Sequence, residues 1–126
     1  MKQPSSDYLL TIANDLVLSN QGITTEQFLE FFEKCEFWAY EWGMFFADGN
    51  DLHLHILTNY RKKVFLRAPM RLVAREMFSK YDVVKTSTLK NKPWALLFEL
   101  KVGWRIVEEK QDKWILEIKK TDFKYA

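Results

Sequence analysis

The chain has 126 residues, 48% of them hydrophobic and 16% aromatic, with 19 basic and 17 acidic side chains and a formal net charge of +2. That length suits a single domain, residues 1–126, with a buried core, and the apolar content excludes a disordered chain. The near-neutral balance gives no reason on charge alone to expect nucleic acid as a partner. The single cysteine, Cys35, excludes an internal disulfide and fits a reducing cytoplasm. No uncharged apolar run approaches the about 20 residues that a membrane helix needs. Asp7, Asn14 and Asp15 interrupt the first apolar residues, so no secretory signal is expected.

In chain order, Leu9, Leu10, Ile12, Ala13, Leu16 and Val17 recur at helical spacing and predict a helix over 6–19, with Ser5 or Ser6 as N-cap and Gly22 beyond its end. A second helix starts at Thr24, which forms a capping-box pair with Gln27, while Ile23 and Phe28 are spaced for a hydrophobic staple. Phe28, Leu29, Phe31, Phe32 and Cys35 make its apolar stripe. From Glu36 the chain turns strongly aromatic, and Asp48-Gly49-Asn50 separates two apolar runs, which predicts one β-hairpin with Gly43 as a bulge or break. Beyond a basic loop, Leu66, Met70, Val73, Ala74, Met77 and Phe78 form a helix face, with Pro69 admissible only in the first turn. Residues 83–88 are a β-branched strand, Pro93 begins a helix running to Lys101, and 104–109 with 113–119 form a last hairpin around Lys110-Gln111-Asp112. The expected order is αα-ββ-α-β-α-ββ. That order predicts an α/β (mixed α+β) fold, with a mostly antiparallel central sheet flanked by helices.

His53 and His55 alternate in LHLHIL and share one strand face. An imidazole there could act as general base, and the competing reading is two polar residues on a solvated face. Glu36 and Glu41, on the aromatic first strand, could activate an amine or a water, or simply face solvent. Arg61, Lys62, Lys63, Arg67, Arg71 and Arg75 form the main basic group. It reads as a solvated helix face, a site for a phosphate-bearing anion, or a contact, with Tyr60 and Phe65, for nucleic acid or an acidic protein surface. Cys35 reads as core, and no His, Cys and acid spacing predicts a metal site. Trp38, Tyr40 and Trp42, at period two, make either core or one aromatic protein-binding face. The four glycines are too scattered for the common phosphate-cradling loops.

The segment YDVVKTSTLKNKPWALLFELKVGWRIV, residues 81–107, sets a strand, Asn91, a short helix and the Gly103-Trp104 step in order. From about Leu52 to Lys119 this resembles the core of the GNAT (GCN5-related N-acetyltransferase) fold, with Tyr60-Arg61-Lys62-Lys63 where that family keeps its acyl-CoA pyrophosphate loop. The resemblance implies acetyl-CoA as cofactor, held by Arg61, Lys62, Lys63, Arg67 and Asn91, and N-acetyl transfer as the reaction, with Glu41, His53 and His55 as catalytic candidates. Lys62, Val64 or Leu66 take the loop's glycine positions, the family's first strand is missing ahead of the paired helices, and Phe98 and Glu99 stand nearest to its frequent general-acid tyrosine. Those departures imply a degenerate member. Lys80-Tyr81-Asp82 before the strand is similar to small GNAT-like proteins of tailed phages, of the internal-virion or head-assembly type. That similarity implies a phage-encoded protein in the host cytoplasm or virion, assembling with a phage structural or host protein. The competing reading is an active acetyl-CoA-dependent N-acetyltransferase; the third is anion or nucleic-acid binding by the basic loop.

Overall fold

The computed structural model describes residues 4–18, 20, 22–61 and 64–124. Two compact units divide the chain: Met1–Gly49 with His53–Phe65, and Asn50–Leu52 with Leu66–Ala126.

The first unit opens with α1 (Ser6–Val17) and α2 (Thr25–Phe32). Both start where their polar residues can satisfy orphan N–H groups. The Ser5 hydroxyl accepts from the Tyr8 N–H at 3.1 Å, and Thr24 and Gln27 close the reciprocal capping box. Ile23, just ahead of the cap, is exposed. Next come β1 (Glu36–Tyr40), β2 (Gly43–Asp48) and β3 (Asp51–Ile56), so the aromatic segment is three strands where its sequence predicts a single hairpin. The extra reversal lies at Glu41-Trp42, between Tyr40 and Gly43 of the antiparallel β1–β2 ladder. Gly43 is therefore the break and starts β2. Its φ is +154°, and a Cβ there would collide with the His55 backbone carbonyl. Ile12, Ala13 and Leu16 of α1 pack with Phe32 of α2 and with Met44 and Phe46 of β2 to form the unit's core. Phe32 meets Phe46 edge to face at 5.3 Å between centroids.

The second unit carries α3 (Arg67–Phe78), β4 (Val83–Leu89), α4 (Pro93–Val102), β5 (Arg105–Glu109) and β6 (Lys113–Lys119). Its boundaries fall within a residue or two of those the sequence predicts. Met70, Val73 and Met77 form the buried face of α3, while Arg67, Arg71 and Arg75 are exposed. β4 and β6 pair antiparallel along their whole length, from Val83↔Lys119 to Leu89↔Lys113. Val84, Thr86, Leu116 and Ile118 thereby share one buried face. Gly103, at φ +125°, ends α4, and a Cβ there would strike the Asp122 carbonyl.

Six strands are hydrogen-bonded in the order β1-β2-β3-β4-β6-β5. β3 and β4 pair parallel, within the second unit, at Asp51↔Lys85, where the Lys85 N–H donates to the Asn50 carbonyl at 2.8 Å. A mixed, mostly antiparallel sheet flanked by helices is the architecture the sequence predicts.

Candidate functional site

In the first unit the polar chemistry gathers in two places. On α1, Asp15 lies one turn from buried Ile12 and so points toward β3, where His55 is 5% exposed. His55 Nε2 is 2.6 Å from Asp15 Oδ2, and Thr58 donates to the same carboxylate through its N–H at 3.2 Å and its hydroxyl at 3.0 Å. Burial alone would push the Asp15 carboxyl up; the hydrogen bonds from His55 and Thr58 outweigh it and hold it below its ordinary value. His53, two residues back, faces the same way and packs against Phe31 and Phe46. The solvated strand face that the His53 and His55 alternation allowed does not exist, because α1 and α2 supply partners for both rings.

The second place is the Glu41-Trp42 turn. The Tyr8 hydroxyl donates to the carbonyls of Tyr40 and, at 2.9 Å, of Gly43. Burial pushes Tyr8 up to about 12, although the Gly43 bond pulls the other way, so its phenol stays protonated and serves as a clamp. Glu41 is exposed and accepts from the Tyr60 hydroxyl at 3.0 Å, which raises the Tyr60 pKa. Tyr40 and Trp42 stack at 4.8 Å, and Trp38 is buried, so the aromatic residues at period two divide between core and surface. Arg61 follows the 3-10 turn Thr58–Tyr60 and is half-buried. Glu36 is exposed at the start of β1.

In the second unit, α3 begins at Arg67 with neither a side-chain cap nor an acid in its first turn. The N–H groups of Arg67 and Ala68 precede the helix's own ladder, whose first bond is Met70 N–H to the Leu66 carbonyl at 2.8 Å. Pro69 contributes no donor. Positive end-charge with no acid beside it suits an anion. Asn91 is exposed in the β4–α4 connection. Lys62 and Lys63, the other basic residues of the expected loop, lie outside the described residues. Under α4, buried Thr88 donates to the Glu99 carboxylate at 2.5 Å, so Glu99 is committed to β4. An open polar depression on the sheet is lined by Asn50, Asp51, Lys85, Ser87, Glu108 and Lys113.

Asp15, Thr58, Tyr8 and the Thr88–Glu99 pair were not singled out by the sequence. Asp15 carried a signal: an acid three residues after a core isoleucine faces the sheet and needs a donor there. Among the described residues no group of three or more His, Cys, Asp or Glu side chains is placed to hold a metal, and no helix is long and apolar enough to cross a membrane.

No protein-family model matches the chain, and no curated protein matches it by sequence. Solved structures do match over nearly the full length. The Pyrococcus horikoshii OT3 protein PH1933 superposes with a TM-score of 0.74 at 9% identity, covering 95% of each chain. Spermidine N-acetyltransferase from Vibrio cholerae, solved with CoA and spermine, gives 0.70 at 12% identity, covering 96% of this chain and 95% of its own. The PaiA N-acetyltransferase from Thermoplasma acidophilum, solved with coenzyme A, gives 0.65 at 14%, covering 94% and 96%. The chain therefore has the GNAT fold. Similarity extends through α1 and α2, beyond the stretch from Leu52 to Lys119 that carried the sequence resemblance.

Proposed function

We propose that the chain is an acetyltransferase-type protein that binds an acyl-CoA through the N-terminus of α3 and passes the acyl group to an amine. The observation carrying this reading is the uncapped, acid-free start of α3, flanked in sequence by Arg61 and Arg67, in a fold whose solved members include CoA-bound N-acetyltransferases. In such a transfer the amine nitrogen bonds to the thioester carbon, the C–S bond breaks, and the CoA sulfur leaves as thiolate and takes up a proton. The amine must lose a proton to a base or to water for the transfer to proceed. With no glycine between Arg61 and Arg67, the pyrophosphate is held less closely than by a glycine cradle.

A thermal-shift titration tests the reading, because a ligand bound only by the folded chain raises its apparent stability. Acetyl-CoA should raise the melting temperature, and Arg67→Ala should remove much of the rise. No rise at millimolar acetyl-CoA would overturn the proposal. It would leave the second reading, a protein-binding role in assembly like that of the small phage proteins the sequence resembles. That reading is supported by the glycine-free loop and by exposed Trp94 and Leu97 on α4.

A further inference from the structure

We propose that β5 is a self-association edge, pairing antiparallel with β5 of a second copy of the chain across a two-fold axis. β5 ends the hydrogen-bonded strand order, and its only strand neighbour among the described residues is β6. Such an edge presents a row of backbone donors and acceptors, which proteins commonly cover, shorten or charge. Here every residue of the strand is exposed, and the middle is apolar: Ile106 is 41% and Val107 47% exposed.

The occupant follows from the charge pattern. The ladder runs Arg105↔Glu117, Ile106↔Leu116, then shifts so that Glu108 faces Ile115. Glu117 and Ile115 lie on one face of β6, so the bulge puts Arg105 and Glu108 on the same face of the sheet, with Ile106 and Val107 between them. Read antiparallel against itself, Arg-Ile-Val-Glu sets Arg105 opposite Glu108 of the second copy, twice, and apolar residues opposite apolar residues. A two-fold contact must be self-complementary in this way. Opposite charges placed across strands stabilise pairing. Neither charge is firmly engaged within its own chain: Arg105 reaches Asp122 at 3.8 Å and Glu108 reaches Lys110 at 3.9 Å, both largely exposed. Each chain's two loose, exposed ion pairs are thus free to give way to the two Arg105–Glu108 pairs that face each other across the axis.

Sedimentation velocity over a dilution series, with circular dichroism to verify folding, tests the proposal. The unmodified chain should dimerise. Arg105→Glu should weaken the dimer by at least about tenfold through like-charge facing, and adding Glu108→Arg to the same chain should restore it. Independently, an equimolar mixture of Arg105→Cys and Glu108→Cys chains should form a disulfide-linked heterodimer under mild oxidation. Either variant alone should not, since like positions lie about 10 Å apart along the strands. A chain that is monomeric at every concentration would overturn the proposal. So would a dimer that ignores Arg105→Glu and leaves the cysteine mixture unlinked, because it would use another surface, such as the apolar side of α4.

Discussion

At the residue scale, Asp15 ties elements of the first unit together: it joins α1 to His55 on β3 and to Thr58 beyond it. Asp15→Ala should cost about 2 kcal/mol in urea unfolding at neutral pH, since it leaves His55 without its charged partner. The pH dependence has a definite sign. The folded Asp15 carboxyl is depressed, so its contribution is fully present above the unfolded value of about 3.9 and is lost as pH falls through the lower folded value. Unfolding free energies measured from pH 6 downward should therefore fall more steeply for the unmodified chain than for Asp15→Asn. Equal slopes would mean that the carboxylate gains nothing from its partners. Gly43 is the other demanding position, where φ is positive and the His55 carbonyl leaves no room for a Cβ. Gly43→Ala should destabilise by more than the about 1 kcal/mol of an ordinary glycine replacement, read as a drop in melting temperature.

At the element scale, the helices and strands of the second unit were legible because local chemistry fixes them: Pro93 starts α4, Gly103 ends it, and β-branched residues fill β4. The capping box of α2 was equally readable from Thr24 and Gln27. The β1–β2 reversal was not. Glu41 and Trp42 carry no turn signal, and the bend is held by the Tyr8 hydroxyl bonding to Tyr40 and Gly43, partners 32 and 35 residues away. No local window contains that information. Tyr8→Phe should accordingly loosen the turn, costing about 1 kcal/mol and speeding hydrogen exchange of the β1 and β2 amides more than those of β6. The burial of His55 and the packing of half-buried His53 were hidden for a related reason. Alternation places both on one face, but only α1 and α2 decide that the face is covered. Within the core those helices build, Phe32→Ala should cost about 3–5 kcal/mol, given its contacts with Phe46 and Phe37.

At the scale of the whole molecule, the order of elements defined the fold while the site's residues stayed local in meaning. Gly103 illustrates the division. It fits a GNAT-like helix end, yet its structural role is to let Asp122 approach. The residues that would hold acyl-CoA are read more thinly: Arg61 and Arg67 flank, in sequence, a helix start with neither a side-chain cap nor an acid in its first turn. That arrangement predicts binding dominated by charge, and so weakened by added salt. The central claim, that acyl-CoA docks at this helix start, is tested most directly by following backbone amide resonances during an acetyl-CoA titration. Saturable shifts should concentrate at Arg67, Ala68 and Met70 and shrink in Arg67→Ala. Saturable shifts confined to other parts of the chain, or no shifts at millimolar acetyl-CoA, would contradict it.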